Sequence, residues 1–274
     1  MSASAAKPAA PRDIKEQTGF GTIAVICLLL LYSPIVILMI FSLNSGSLVT
    51  HWEGVTLAWY GQALANEEFH SAAKNTLIIS ISATILSTLM ATMAAIGMTR
   101  VKPWRGLGPS FMVINLPLMV PEIITAVATL SFFALLAGSL NLNFGIGNLI
   151  LAHTVFCIPF AYMPIKARLE DMDLTLENAA ADLYATPWFA FKRVTLPLLL
   201  PGIFSGMALA FIVSFDDFTI TQLVAGPGQT TLPLYIWNQI RRPMTPEINA
   251  ISTILLLVSI IFVSVSFLIA RRRN

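Results

Sequence analysis

Residues 167–197 read ARLEDMDLTLENAAADLYATPWFAFKRVTLP. The stretch lies between two apolar runs, yet it is not a linker, which would be Gly/Ser-rich and unpatterned. Thr175 can cap a helix here, and Glu177 falls in the first turn, where the helix dipole favours an anion. Asn178 to Ala185, NAAADLYA, consists largely of good helix formers, and Pro187 ends that helix. A short second helix is expected from Trp188 to Arg193, before Leu196-Pro197 leads into the next apolar run. A small exposed helix with alanines on one side offers a low, smooth face to a partner. The alternative is an amphipathic helix lying on the membrane, but that would carry cations along one face. Here they sit only at the ends of the loop.

The rest of the chain explains why the loop stands out. Of 274 residues, 56% are hydrophobic and only 11% are charged, against roughly 25% charged in an ordinary soluble domain. This is the composition of an all-α integral membrane protein. Residues 1–18 are rich in Ala, Pro and charge and read as a disordered tail; 19–274 read as a single transmembrane domain. The apolar run Phe20–Leu43 is too long for a cleavable signal and has no small-residue cleavage site, so it is expected to stay as a first span. Five more runs follow at about 73–99, 108–136, 146–166, 198–222 and 248–270.

Six spans put both termini on one side, and the cations choose that side. Lys7, Arg12 and Lys15 lie in the tail, and Arg100, Lys102 and Arg105 in the second connection. Lys166, Arg168, Lys192 and Arg193 flank the fourth, and Arg271, Arg272 and Arg273 close the chain. Only Lys74, Arg241 and Arg242 fall opposite. The positive-inside rule therefore predicts cytoplasmic termini and a cytoplasmic 167–197 loop. Trp52, Trp59 and Tyr60 outside, and Trp104 and Trp188 inside, fit interfacial anchoring. No internal repeat is evident, which gives an inverted-repeat transporter no support. Cys27 and Cys157 sit in apolar runs and read as small core hydrophobes.

The 167–197 loop resembles the ATPase-coupling loop of ABC-importer permeases: E-A-A, three residues, G, nine residues, then I-x-L-P. Here those positions read Asn178-Ala179-Ala180, Tyr184, and Val194-Thr195-Leu196-Pro197. Asn178 replaces the usual Glu, whose charge Glu177 can keep. Tyr184 replaces Gly and does not easily take a positive φ, so the turn between the helices is expected to be tighter or displaced. Further stretches, LYSPIVILMIFSLNSG at 31–46, LPLMVPEIITAV at 116–127, SFDDFTITQLVAGPGQTTLPLYI at 214–236 and PEINAISTILL at 246–256, look like the polyamine (spermidine/putrescine) branch of these permeases. The resemblance implies a type I ABC-importer permease of the bacterial inner membrane. It implies a second, related permease subunit, a cytoplasmic ATPase dimer and a periplasmic polyamine-binding protein. Glu177, Asn178, Ala179, Ala180, Asp182, Leu183, Tyr184 and Ala185 would carry the coupling.

What is missing fits that division of labour. There is no G-x-x-x-x-G-K-[ST], so the chain is not expected to hydrolyse ATP or to bind a cofactor; ATP and Mg would belong to the partner ATPase. His51, His70 and His153 are scattered, with no metal-binding spacing. The net charge of +2 is too small to imply a nucleic-acid partner. The competing function is an ion-coupled secondary transporter using Asp217 or Glu122, which would need no ATPase-docking helix.

The carboxylates carry the substrate reading. Asp216 lies fifteen residues past Pro201 and Glu122 fourteen past Gly108. At about 1.5 Å per residue both are roughly 21–22 Å up their spans, in the outer half of a bilayer core about 30 Å thick. Burying one such charge costs about 2.5–3.5 kcal/mol, and a passing cation supplies what three of them lack. Successive helical residues point about 100° apart, so one of Asp216 and Asp217 faces the path and the other a neighbouring helix or subunit. Each has a structural alternative: Glu122 behind Pro121 can favour the dipole of a restarted half-helix, and the aspartates can pair with Arg241 or Arg242. Phe211, Phe215 and Phe218 are expected to form one stripe, with Phe215 offering its ring to a cation.

Overall fold

The computed structural model describes residues 20–47, 51–102, 104–241 and 245–271. The expected tail, with Lys7, Arg12 and Lys15, lies outside the described residues, as do Arg242, Arg272 and Arg273. Helix α1 is Phe20–Phe41, α2 Ala58–Ala65, α3 Glu67–Thr99 and α4 Leu107–Met119. Then come α5 Glu122–Leu140, α6 Ile146–Asp171, α7 Thr175–Asp182 and α8 Pro187–Ala190. A π-helical turn, Phe191–Thr195, leads into α9 Leu196–Phe215, followed by α10 Thr219–Val224, α11 Leu232–Ile240 and α12 Pro246–Arg271. Among the described residues, five helices are long and apolar enough to cross a membrane: α1, α3, α5, α6 and the continuous Pro187–Phe215 rod.

The centre is α3 against α6 and α9. Asn66 starts α3 by accepting hydrogen bonds from the N–H groups of Glu68 and Phe69, and Glu67 and Glu68 oppose the helix dipole. Beyond Phe69 and Ile79, the buried face of α3 is a run of small residues: Ala72, Thr76, Ser80, Ala83, Thr84, Ser87, Thr88, Ala91 and Ala95. Thr76 and Ser80 return their hydroxyl protons to carbonyls one turn back, whereas the buried Thr84 and Thr88 hydroxyls have no partner among the described residues. Small faces let backbones approach where no water drives helices together. Gly206 does this for α9: a Cβ there would stand 2.7 Å from the Ala161 carbonyl oxygen on α6. Cys157 is buried in this packing, whereas Cys27 is exposed on α1, whose apolar surface stays outside the bundle.

Two expected spans differ in detail. The third is two helices: α4 ends at Met119 and α5 restarts at Glu122. Val120 is extended, as the residue before a proline prefers, and Pro121 is the N-cap rather than the first helical residue. The fifth begins early, because the short helix at Trp188 is not separate: α8 runs through the π turn into α9. Pro197 has no N–H to continue the α-ladder, and the π turn just ahead takes up the mismatch, with Leu196 N–H bonding the Phe191 carbonyl. It then stops early, at Phe215, instead of running on to 222.

On the face expected to be periplasmic, α3 is tied to the connection after α10. The Asn75 side chain donates to the Gly228 and Thr230 carbonyls, and Leu232 N–H donates to the Thr76 hydroxyl. Trp59 and Tyr60 do more than anchor: the Trp59 indole donates to the Asn44 carbonyl, and the Tyr60 hydroxyl bonds Ser42.

Candidate functional site

The acidic stretch forms a break between two helices. Asp216 caps the C-terminus of α9; Asp217 and Phe218 form the link, and α10 starts at Thr219. Asp217 makes the break. Its Oδ1 accepts from Ile220 N–H at 3.3 Å and its Oδ2 from Thr221 N–H and the Thr221 hydroxyl, each at 3.0 Å. A carboxylate capping the first N–H groups of α10 fixes where that helix begins.

Asp217 is also buried, with 1% of its side chain exposed. Its partner from outside the break is His153 on α6, whose Nε2 lies 3.3 Å from Oδ2. The same ring bonds Ser214 through Nδ1 at 2.8 Å and Thr221 through Nε2 at 3.1 Å. The alternative pairing with Arg241 is not formed: its guanidinium lies over the Trp237 ring, 5.6 Å from the centroid, while Arg242 is outside the described residues. In the sequence His153 is one of three scattered histidines. Its partners lie 61–68 residues further along the chain, and no local spacing reveals them.

Asp216 differs from its neighbour. It is exposed and takes part in none of the ion pairs among the described residues. Glu122, half-buried in the first turn of α5, faces the Asp217 carboxyl and the Thr219 hydroxyl. The interruptions of the third and fifth spans thus meet, and they bring Glu122 to Asp217. Phe215 is buried and stacked on Phe211 at 5.4 Å, whereas Phe218 turns away to pack on Trp237 at 5.0 Å. The break at Asp216 carries Phe218 off the stripe.

The 167–197 loop is a built surface. The N-terminus of α7 is capped by Asp173 rather than Thr175: Asp173 Oδ1 accepts the Thr175 N–H at 2.9 Å. That bond holds the Asp173 carboxyl below its usual range. Glu177 Oε1 accepts from Arg100 Nε at 3.0 Å and from the Thr195 hydroxyl at 3.1 Å, so its charge is spent inside this chain. Asn178, Ala179, Asp182, Leu183 and Tyr184 are exposed, while Ala180 and Ala185 are half-buried. The turn is of Schellman type: Ala185 N–H bonds the Ala180 carbonyl, and Tyr184 N–H that of Ala181. Tyr184 takes the left-handed position with φ 58°, contrary to expectation. The turn keeps the geometry a glycine would give it, and the ring stands clear in solvent.

The family described as binding-protein-dependent transport system inner membrane component matches residues 83–273. The chain belongs to that family: it is a multi-pass transport permease. It is 38% identical over 228 residues to the putrescine transport system permease protein PotI of Escherichia coli (strain K12), covering 82% of this chain and 81% of that one. It is 33% identical over 246 residues to the spermidine/putrescine transport system permease protein PotC of the same strain, covering 89% and 90%. The fold matches a bacterial ABC transporter involved in the import of alginate, with a TM-score of 0.73, 18% identity and coverage of 92% and 94%. It also matches the MetNI methionine ABC transporter, with a TM-score of 0.63, 16% identity and coverage of 74% and 94%. Family membership leaves the ion-coupled secondary transporter without support.

Proposed function

We propose that this chain is one permease half of an ATP-driven importer of putrescine or spermidine in the bacterial inner membrane. Residues 19–274 form its single domain, with six spans and both termini in the cytoplasm. The Arg100–Glu177 contact supports that topology, because it requires the 100–107 and 167–197 connections to share a side. The second half is a related permease. A periplasmic binding protein delivers the amine, and a cytoplasmic ATPase dimer, holding ATP and Mg, docks on the exposed face of α7 at Asn178, Ala179 and Asp182. This chain binds no cofactor and does no chemistry.

The observation that carries the substrate class is the acidic break. Amines with a pKa near 10 are cations at neutral pH, and a carboxylate inside a membrane protein calls for one. Asp216 and Glu122 are the groups that meet the passing cation. Asp217 and Phe215 stand behind them, the first holding the break and the second packing it. The supporting experiment is purification of the tagged complex, identification of every subunit by mass, and amine uptake in vesicles supplied with binding protein. Uptake that needs ATP and is competed by diamines is the expected result. A chain that purifies without an ATPase subunit overturns the reading.

A further inference from the structure

We infer that His153 is the positioning residue of the acidic break: from α6 its ring spans the break, one nitrogen on each flank, and fixes where Asp216 is presented. The inference rests on the proposed role of Asp216 toward the cation.

The donor inventory defines the bridge. Thr221 gives its hydroxyl proton to Asp217 Oδ2. Toward His153 the Thr221 oxygen can therefore only accept, and Nε2 must be the donor. The same Nε2–H points at the Asp217 carboxylate, 3.3 Å away. Nδ1 meets the Ser214 hydroxyl, which can rotate to suit it. Ser214 is two residues before Asp216, in α9; Thr221 is in the first turn of α10. Between them lie only Asp216, Asp217 and Phe218 outside the helices. One rigid ring thus sets the separation of the two helix ends.

Packing alone does not ask for an imidazole here. His153 is 1% exposed, among Leu149, Ala152, Phe156 and Cys157 on its own helix. A buried polar ring is costly unless bonded, and all three bonds go to the break. One turn further along α6, Cys157 meets the α9 backbone at Ala210 and the Ser214 side chain through weak sulfur contacts and, among the described residues, is not bonded to Asp217 or α10. Without the ring, Asp217 keeps the donors of Ile220 and Thr221 on its own chain segment, and α9 and α10 are joined by three residues and the Asp217 cap. The exposed Asp216 would then no longer be held at one position.

The test uses the whole complex in vesicles, with amine-loaded binding protein varied. Uptake is measured for His153→Phe, His153→Asn and His153→Gln. Cys157→Ala is the packing control, and Asp216→Asn is measured alongside. The binding protein docks outside the membrane, so its half-saturating concentration should stay within about twofold. The maximal rate for Phe and Asn should fall on the order of tenfold, the scale of one lost hydrogen bond to a charge. Gln, which can put a donor near the Nε2 place, should recover part of the loss, and Cys157→Ala should transport normally. Wild-type rates for His153→Phe overturn the inference, as does an equal loss in Cys157→Ala. If His153→Asn assembles poorly, the His153→Asn/Asp217→Asn pair removes the carboxylate with its partner. That pair should assemble and stay slow; a wild-type rate, or failure to assemble, overturns the positioning role. Normal uptake in Asp216→Asn with loss in His153→Asn sinks the cation reading instead.

Discussion

Arg100 Nε and Glu177 Oε1 lie 3.0 Å apart, with 16% and 22% of their side chains exposed. The pair bolts the end of α3 to the first turn of α7, and the Thr195 hydroxyl adds the π turn to the same oxygen. Helix α7 is therefore tied to both α3 and the turn that leads into α9. Glu177→Gln should loosen this joint by about 1–2 kcal/mol, between a surface pair and a charge-assisted bond. The measurement is solute-stimulated ATPase together with proteolysis inside 167–197. Faster cleavage with weaker stimulation is expected, and the Arg100→Glu/Glu177→Arg exchange should recover part of both.

Ala179 and Ala181 are the small residues that α7 exposes around Asn178 and Asp182, and Ala179 adjoins Asn178. Ala179→Glu should leave the chain inserted and abolish most ATPase docking, because a bulky charge stands where a partner surface approaches. Ala180 is a poorer probe: it is half-buried, and its carbonyl closes the Schellman turn. Co-purified ATPase per permease is the readout, and full recovery in Ala179→Glu would remove α7 from the interface.

Tyr184 holds φ 58° with its side chain 96% exposed. A left-handed residue with a Cβ costs about 1–2 kcal/mol, against about 0.5–1 kcal/mol for the greater unfolded freedom of glycine. Tyr184→Gly should thus stabilise the loop by roughly 0.5–1 kcal/mol. Slower hydrogen exchange across 178–185 would register the gain, and Tyr184→Val should move it the other way.

Gly206 faces the Ala161 carbonyl oxygen at 2.7 Å from its ideal Cβ, and the neighbour is backbone, which cannot step aside. Gly206→Ala should separate α6 from α9 at a cost of about 1–3 kcal/mol. Thermal unfolding of the detergent-purified complex reads it, with Gly138→Ala, which meets nothing within 4 Å, as the control.

The spans and the helix in the cytoplasmic loop were legible because they are local: apolar length, a proline, a run of alanines. So was the restart at Glu122, announced by Pro121. The glycines of α9 had a readable signal, G-x-x-x-G at Gly202 and Gly206, that the apolar run masked. His153 had none, since its meaning comes from Ser214 and Asp217 across the bundle. The cap that Asp217 makes on α10 was not legible, because periodicity cannot tell a carboxylate that caps a helix from one that lines a channel. Tyr184 defied its own propensity because Pro187, the Asp173 cap and the Glu177 bridge hold both sides of its turn.

Asp216 and Asp217 are adjacent in the chain but differ in surroundings, the first exposed and the second buried against His153. Asp217→Asn keeps one acceptor for the N–H groups of Ile220 and Thr221 but loses the charge that His153 and Thr221 address, so its first effect should be lower complex yield, by about 1–3 kcal/mol of stability. Among the described residues, Asp216 takes part in no such ion pair. The decisive measurement is ATP-driven diamine uptake by Asp216→Asn at saturating binding protein, normalised to intact complex. Normal yield with uptake down on the order of tenfold is predicted, the scale of one charge-assisted contact. Wild-type uptake per complex would contradict the claim that this break is where the permease meets its cation.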